Sequence, residues 1–437
     1  MQAVDPINLF RITWHNDPES GGFGPVNVLE IPEAITGVPA RIAGLVGKHF
    51  PTGAHKVGAA FGCLVPRLVH GEFDPATQRA VWPSTGNYCR GGAFDSALLG
   101  CTALAILPEE MSQERFRWLE SIGAEVLATP GCESNVKEIF DACWDIKKNR
   151  KDCVVFNQFE EWGNYLWHYA VTTAAVEEAF GLLPGAGKRF AGWVSATGSA
   201  GTLAAGDGLK QRFPGSTITA AEALQCPTLL RNGFGGHRIE GIGDKHVPWI
   251  HNLRTTDMVM GIDDAGPMSL IRLFNEPAGT AYLAEAGIDP ELIEQLPLLG
   301  ISSVANLLSA IKMARWYELG PHDVVLTVAT DSMEMYGSRL EEMKAELGKL
   351  DRTGAAVAHQ RWLLGETTDN VEELGHWDRK RIHNLKYYTW IEQQGKVVEE
   401  LDRQWDDPTY WTDIQALVDP IDELIETFNE AVASDES

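Results

Sequence analysis

One lysine and two turns of small polar residues are the groups in this 437-residue chain that could do chemistry. Lys56 closes the run Gly-Ala-His-Lys at positions 53–56, and the small residues around it would let a flat ring approach its amine. An amine forms an imine with an aldehyde only when it is unprotonated, a state that burial or nearby positive charge favours. Lys56 is therefore a candidate for holding an aldehyde cofactor, with a solvated surface lysine as the alternative. The neighbouring His55 is expected to point elsewhere and to pack in the interior.

The turn at residues 197–202 could hold a phosphate group. It lies between an apolar strand candidate and a helix of small residues, so its N–H groups converge at the positive end of a helix dipole. The turn has neither the GxGxxG nor the GxxxxGK[ST] pattern, which counts against a dinucleotide or nucleoside-triphosphate site. A plain connecting turn is the alternative.

The second turn, at residues 83–88, precedes a helix that begins near residue 91. Its hydroxyls, the Asn87 amide and the N–H groups at the helix start could bind a carboxylate without a positive side chain. Taken alone, the same residues are also typical of a simple helix cap.

The elements that must position these groups are indicated by the apolar pattern between residues 85 and 345. Short apolar runs alternate there with longer helical stretches, which predicts βαβ units, a parallel sheet and an α/β fold. A helix is predicted over residues 112–122, since Ser112 precedes an acidic residue in the first turn. The predicted strands are residues 103–107, 124–128, 153–156, 192–195, 217–221 and 324–328.

The two ends of the chain have a different character. Residues 1–50 are rich in glycine and proline punctuation, and no element is assigned there. Residues 401–437 carry eleven acidic residues against Arg403 alone. Apolar residues recur at helical spacing at positions 421, 424, 425, 428 and 432, which predicts an amphipathic helix packed on the body or on a second subunit, with a solvated helix as the alternative.

Composition limits the classes of partner. The chain has 36 basic and 61 acidic residues, a net charge of −25, which argues against nucleic acid or an anionic membrane as partner. Its seven cysteines form no CxxC pair, and their odd number is typical of reduced thiols and a cytoplasmic protein. The start of the chain is unlike a signal peptide, and no apolar run is long enough to span a bilayer.

Seven motifs in order over residues 51–340 resemble the fold-type II family of pyridoxal-phosphate enzymes, especially cysteine synthase and cystathionine β-synthase. The lysine segment is also similar to that of the tryptophan synthase β chain. The motifs are PTGAHK (51–56), STGN (84–87), LPEEMS with GAEV (107–112, 123–126), NQFE with HYAVTT (157–160, 168–173), HRIEGIG (237–243), GISS (300–303) and TDSMEMY (330–336).

The resemblance implies roles for residues at matching positions. Lys56 would bind pyridoxal 5'-phosphate as an imine and later move the α-proton, and Asn87 would contact the ring hydroxyl. Ser332 would face the pyridine nitrogen, unless a shift of one residue places Asp331 there. The implied phosphate contacts are Gly198, Ser199, Ala200, Gly201 and Thr202. The implied substrate contacts are Ser84, Thr85, Gly86, Asn87, Tyr88, Gln158 and Gly241.

The implied reaction removes a β-substituent from an L-serine- or L-cysteine-type amino acid through an aminoacrylate intermediate, followed by β-replacement or by release of the product. A serine at the pyridine nitrogen would not keep the ring protonated, which favours this chemistry over transamination. The alternatives are a serine/threonine-type dehydratase or ammonia-lyase, and a cofactor-binding partner subunit without turnover. The family is commonly homodimeric, so we expect a homodimer, and no metal is expected.

The resemblance also implies two open twisted α/β domains with the cofactor in the cleft between them. Residues 51–80 and 181–345 would form the large cofactor-binding domain, to which residues 1–50 contribute as an N-terminal extension. Residues 81–180 would form a smaller, mobile substrate-loop domain, and residues 346–437 a helical, acidic C-terminal extension.

Tyr88 stands where the family usually has a small threonine, and Arg90 follows it closely. We hypothesise that these two side chains reshape or charge the substrate pocket for an acidic or bulky β-substituent. An Arg90 side chain that faces solvent at the helix start is the alternative.

Overall fold

The computed structural model describes residues 3–84, 86–132 and 134–435, and its core is built on two β-sheets. The strands within these residues are β1 (Val28–Ile31), β2 (Arg41–Val46), β3 (Arg79–Pro83), β4 (Ala103–Pro108), β5 (Glu125–Thr129), β6 (Cys153–Val155), β7 (Arg189–Ala196), β8 (Thr217–Ala223), β9 (Met258–Ile262), β10 (Asp323–Ala329) and β11 (Val371–Glu373).

Helices cover both sheets. The α-helices are α1 (Glu33–Thr36), α2 (Lys56–Val69), α3 (Asn87–Leu98), α4 (Gln113–Ser121), α5 (Val136–Asn149), α6 (Trp162–Trp167), α7 (Thr173–Leu182), α8 (Gly201–Arg212), α9 (Thr228–Arg231), α10 (Ala265–Asn275), α11 (Pro277–Glu285), α12 (Pro290–Gln295), α13 (Ile301–Trp316), α14 (Gly337–Leu347), α15 (Arg352–His359), α16 (His376–Lys386), α17 (Val398–Asp406), α18 (Tyr410–Gln415) and α19 (Val418–Asp435). Short 3₁₀ turns lie at Pro6–Arg11, Gly47–His49, Leu296–Leu298 and Met333–Met335, and π-helical turns at His168–Thr172, Gln360–Leu364 and Tyr387–Ile391.

The larger sheet has seven strands in the order β1-β2-β10-β7-β8-β9-β11. Its five inner strands are parallel, and the edge strands β1 and β11 pair antiparallel to their neighbours. The inner strands are almost wholly buried, as expected for a parallel sheet covered on both faces. The smaller sheet is parallel throughout, in the order β5-β4-β3-β6.

The α/β fold class and all six predicted strands are confirmed, as is the helix predicted over residues 112–122, which is α4. Five strands have no counterpart among the predicted ones: β1 and β2, within residues 1–50, and β3, β9 and β11. The β2 sequence RIAGLV is interrupted by a glycine and begins with an arginine, so its apolar run is short. The three residues of β11 are VEE, which has no buried pattern to detect.

The predicted division into domains stays a prediction. The strands of the large sheet come from residues 28–46, 189–329 and 371–373, and those of the small sheet from residues 79–155. The C-terminal segment is largely helical as expected, but it also supplies β11 to the large sheet. The predicted terminal helix is α19, whose Ile425 packs against the core beneath the small sheet.

No single helix among the described residues is long and apolar enough to cross a membrane. One bent pair, Pro290–Leu298 and Ile301–Trp316, meets the length and composition criteria together, with its two halves at 116°.

The topology places three loops side by side. Strands β2, β10 and β7 are neighbours and run parallel, so the segments that follow them leave the same edge of the large sheet. These segments lead to Lys56, to residues 330–332 and to the 197–202 turn. In open parallel sheets this carboxyl edge is where ligands bind.

Candidate active site

Lys56 is the first residue of α2 and follows a turn in which Gly53 adopts a left-handed φ of +74°. The N–H of His55 donates to the carbonyl of Thr330 at 3.4 Å, which fixes the start of the helix to the end of β10. The Nζ atom of Lys56 lies 3.5 Å from the position that a Cβ atom would occupy on Gly198. The lysine amine therefore meets the glycine-rich turn, where a Cβ atom on Gly198 would lie only 2.8 Å from the carbonyl oxygen of Gly241.

The 197–202 turn joins β7 to α8 and exposes the start of the helix. Ala200 has a φ of +64°, unusual for a residue with a side chain, and Gly201 opens α8. A Cβ atom on Gly201 would overlap Asn164 and come within 2.8 Å of His168. The first N–H groups of a helix lack intrahelical partners, so this crowded turn forms a cradle for an anion.

These segments line a cavity between the two sheets. The predicted residues that line it are Lys56, Asn87, Gly198, Ser199, Ala200, Gly201, Thr202 and Gly241.

Five of the described residues that were predicted to form the site do not line the cavity: Ser84, Gly86, Tyr88, Gln158 and Ser332. Ser84 accepts hydrogen bonds from the N–H of Gly86 at 3.0 Å and from Nε2 of Gln158 at 3.3 Å, so these residues support the loop rather than line the cavity. Ser332 is buried but does not line the cavity either. Thr85 lies outside the described residues.

The cavity also contains polar side chains to which the sequence assigned no role. Ser302 and Asn306 lie on α13, and Ser302 Oγ is 4.0 Å from the position of a Cβ atom on Gly241. Ser302 belongs to the GISS motif, so the sequence did point to this segment. The motif alone does not show which of its two serines reaches the cavity. Ser302 lines the cavity, whereas neither Ser332 nor Asp331 does.

The expectation that His55 points away is wrong. Its ring lines the cavity, stacks on Trp14 with centroids 5.5 Å apart, and lies edge-on to His168 at 5.4 Å. Burial, reinforced by the charge of Lys56, lowers the pKa of His55 to about 3. Burial likewise lowers the pKa of His168 well below its usual value. Both rings are thus neutral and carry uncharged donor and acceptor atoms at the cradle.

The hypothesis that Tyr88 and Arg90 shape the substrate pocket is not supported by their positions. The Tyr88 hydroxyl donates to the carbonyl of Phe156 at 3.2 Å, and its ring packs in the core under the small sheet. The Arg90 guanidinium lies 4.5 Å from the ring centroid of Trp118 and is 3% exposed, so it faces neither the cavity nor solvent.

A buried polar network connects the substrate-loop region with the end of β10. Asn87 Nδ2 donates to Asp331 Oδ2 at 2.6 Å, and the Tyr336 hydroxyl donates to the same oxygen at 2.7 Å. Arg115 donates to the Tyr336 hydroxyl at 2.9 Å and forms an ion pair with Glu240. Asp331, about which the sequence left a choice, therefore contacts Asn87 and does not line the cavity.

Unpartnered polar atoms test whether the cavity fits a phosphorylated aldehyde cofactor. The Oδ1 atoms of Asn87 and Asn164 and both ring nitrogens of His55 are buried without a hydrogen-bond partner in the described structure. Such atoms are costly unless a ligand satisfies them. With one lysine amine, a helix-start cradle and these atoms, the residues present fit pyridoxal phosphate.

Residues 45–288 match the family model described as pyridoxal-phosphate dependent enzyme. The chain belongs to this family, and its cofactor is pyridoxal 5'-phosphate. Its fold is the fold-type II arrangement expected from the motifs.

Two curated relatives are cysteine synthases. The chain is 30% identical over 289 residues to the cysteine synthase of Staphylococcus aureus, which covers 65% of this chain and 84% of that protein. It is 27% identical over 287 residues to the probable cysteine synthase of Bacillus subtilis, covering 65% and 85%. The O-acetylserine-dependent cystathionine β-synthase of Helicobacter pylori has a similar fold, with a TM-score of 0.60, 21% identity, and coverage of 71% of this chain and 94% of that one.

Proposed function

We propose that this enzyme removes the β-substituent of an L-serine- or L-cysteine-type amino acid and either replaces it with a nucleophile or releases the product. The observation that carries the proposal is the meeting of Lys56, the 198–202 cradle and Asn87 in one cavity. The likeness to cysteine synthases over most of their length supports the substrate class.

Bound pyridoxal phosphate supplies an electron sink for breaking bonds next to the amino group of an amino acid. Lys56 holds the cofactor through its amine and then moves the α-proton. The start of α8 holds the phosphate, and its dipole favours that negative charge. Asn164 Nδ2 donates to Ser199 Oγ at 2.9 Å, which orients the serine hydroxyl in the cradle.

The substrate carboxylate is proposed to bind at the start of α3, where Asn87 opens the helix. Ser84, supported by Gln158, accepts the N–H of Gly86 and so fixes the turn before the helix. Thr85 is assigned to the same loop from the motif alone. Gly241, with a φ of +97°, brings the 237–243 loop over the opposite side of the cavity.

The test is to load the purified protein with pyridoxal phosphate and to add O-acetylserine, serine, cysteine and threonine in turn. We expect visible absorbance from the bound cofactor, a spectral change with at least one serine- or cysteine-type substrate, and either a new β-substituted product or pyruvate with ammonia. Lys56→Ala should reduce turnover by on the order of 10²–10⁴. The exposed Lys349→Ala should behave as the unchanged protein.

Two results would count against the proposal. Cofactor binding without a spectral change on any of the four amino acids would instead favour a partner subunit without turnover. Deamination of threonine in preference to the other three would favour a dehydratase.

We also propose that the enzyme is a cytoplasmic homodimer with a large domain, a small domain and a C-terminal extension divided as the sequence suggests. An apolar groove between α2, α6 and α19, lined by residues such as Phe61, Leu166 and Ile425, supports a subunit contact. Ile12 also lines this groove. In the turn before it, Ile7 and Phe10 are 66% and 71% exposed, and such apolar surface is typical of an interface. Sedimentation of the unchanged protein and of Phe10→Asp would test this, since the variant should shift toward the monomer.

A further inference from the structure

We propose that Asp331 is a positioning residue that holds the Asn87 amide with its oxygen, Oδ1, directed at the ligand. The inference rests on the proposed function, because it assigns Asn87 to the cofactor and substrate cavity. Asp331 itself does not line that cavity.

The contact between the two side chains sets the direction of the amide. Asn87 Nδ2 is 2.6 Å from Asp331 Oδ2, and a carboxylate oxygen can only accept here, so the nitrogen end of the amide faces Asp331. The oxygen end is buried and has no hydrogen-bond partner in the described structure. Since Asn87 lines the cavity, Oδ1 is the polar atom that it has left for a ligand.

Asp331 is itself fixed from two sides. The Tyr336 hydroxyl donates to Oδ2 at 2.7 Å, and Arg115 lies 3.9 Å from the same oxygen while it donates to that hydroxyl. A Cβ atom on Gly300 would overlap Asp331 Oδ1, so this oxygen packs directly against the Gly300 backbone in space that a side chain would fill. All of these side chains are buried, which makes the orientation of the carboxylate rigid.

The network joins elements of both sheets. Asn87 and Arg115 lie on α3 and α4 beside the small sheet, whereas Asp331 and Tyr336 follow β10 of the large sheet. The direction of the Asn87 amide is therefore set only when the two parts of the molecule are in contact.

An amide oxygen accepts and does not donate, so it favours a ligand atom that carries a proton. The resemblance implies that the ring hydroxyl of bound pyridoxal phosphate would be the group that contacts Asn87. An amide held with Oδ1 in this direction would accept the hydroxyl proton and so favour the cofactor form that keeps its proton on the ring oxygen. If Asp331 is replaced by a side chain that can also donate, the Asn87 amide can turn and present Nδ2 to the ring oxygen. That orientation would favour the cofactor form that carries its proton on the imine nitrogen.

The experiment loads Asp331→Asn with pyridoxal phosphate and records the ratio of the two cofactor absorption bands, which reports where that proton lies. We expect the ratio to shift and the cofactor to bind about five- to tenfold more weakly, the loss expected for one hydrogen bond. Tyr336→Phe keeps the carboxylate and removes one of its donors, so it should fold well and shift the ratio in the same direction by less. In an Asn87→Ala background, Asp331→Asn should cause no further shift.

The matched control is Glu276→Gln, another buried carboxylate that is ion-paired, here with Arg272, and that lies outside the cavity. It should lower the melting temperature without moving the band ratio. An unchanged ratio in both Asp331→Asn and Tyr336→Phe, or an equal shift in the Asn87→Ala background, would overturn the positioning role while leaving the proposed function intact. Failure of the unchanged protein to bind the cofactor would overturn both.

Discussion

At the scale of single residues, Asp95 is a buried carboxylate that lacks a hydrogen-bond partner in the described structure. It lies within α3, is 3% exposed, and neither of its oxygens has a hydrogen-bond partner. Burial alone raises its pKa well above the usual value. Because the unfolded chain ionises at lower pH than the folded one, the free energy of unfolding must fall as pH rises from the ordinary carboxyl range toward the folded pKa.

Asp95→Asn removes this penalty, since the amide is neutral at every pH. We expect the variant to be more stable than the unchanged protein at neutral pH by roughly 1–3 kcal/mol, with the difference shrinking in acid as Asp95 becomes protonated in both states. Urea unfolding at neutral and acidic pH measures it. The exposed Asp74, whose pKa is lowered by hydrogen bonds from Thr77 and Ala76, is the control, and Asp74→Asn should give no gain. A gain for Asp95→Asn that is the same at both pH values would contradict the explanation.

The sequence indicates which residues reach the cavity where a motif fixes the backbone, but it does not show where a side chain points when the backbone leaves this open. Lys56, Asn87 and Gly241 all reach the cavity, because each is tied to the start of a helix or to a tight loop. Ser332 does not line the cavity, although Thr330, two residues before it, does, and the Thr330 carbonyl accepts from the N–H of His55. The sequence did not indicate that His55 reaches the cavity, because adjacent side chains were expected to point in different directions. The turn before α2 directs both His55 and Lys56 inward.

At the scale of elements, the helix that carries Lys56 is positioned by glycines that let backbones touch. A Cβ atom on Gly62 would lie 2.6 Å from the carbonyl oxygen of Gly163, so α2 and α6 pack at backbone distance. A Cβ atom on Gly91 would lie 2.7 Å from Cα of Val57, which places α3 equally close to the first turn of α2. Neither contact was visible in the sequence, because small residues alone do not show what they face.

Gly62→Ala should destabilise the protein by about 1–3 kcal/mol and weaken binding of pyridoxal phosphate, because α2 must shift away from α6. Gly181→Ala is the matched control in α7, where nothing lies within 4 Å of the added atom. That variant should be stabilised by about 0.4–1 kcal/mol. Thermal unfolding and cofactor titration of both variants measure the difference, and equal behaviour of the two would contradict close packing of α2 on α6.

At the scale of the whole molecule, residues 376–411 tie the two sheets together. Trp390 Nε1 donates to the carbonyl of Val247 at 2.8 Å, on the chain that follows the Gly241 loop. From the same segment Gln394 accepts from Trp144 on α5 at 3.1 Å, and Lys396 forms an ion pair with Glu160 at 3.0 Å. The segment thus contacts both the large-sheet side and the small-sheet side of the cavity. The family model ends at residue 288, so none of these contacts could be inferred from the resemblance.

Lys386 anchors this segment to the body of the protein. Its side-chain nitrogen is fully buried and donates to the carbonyls of Trp249 and His251 and to Oε1 of Gln404, at 2.7–2.9 Å. Lys386→Met would leave three buried acceptors without a donor, at about 1–3 kcal/mol each. We expect the free energy of unfolding to fall by about 3 kcal/mol or more, whereas Lys151→Met, at an exposed position, should change it little.

Hydrogen exchange of the backbone amides shows which parts of the molecule depend on this segment. If the segment holds the two sheets together, Lys386→Met should speed hydrogen exchange in α5, beside the small sheet, as well as in residues 376–411. Faster exchange confined to residues 376–411 would mean that the segment packs on the large sheet alone. Faster exchange in α5 as well would show that residues 376–411, which do not line the cavity, help to keep both walls of the cavity in place.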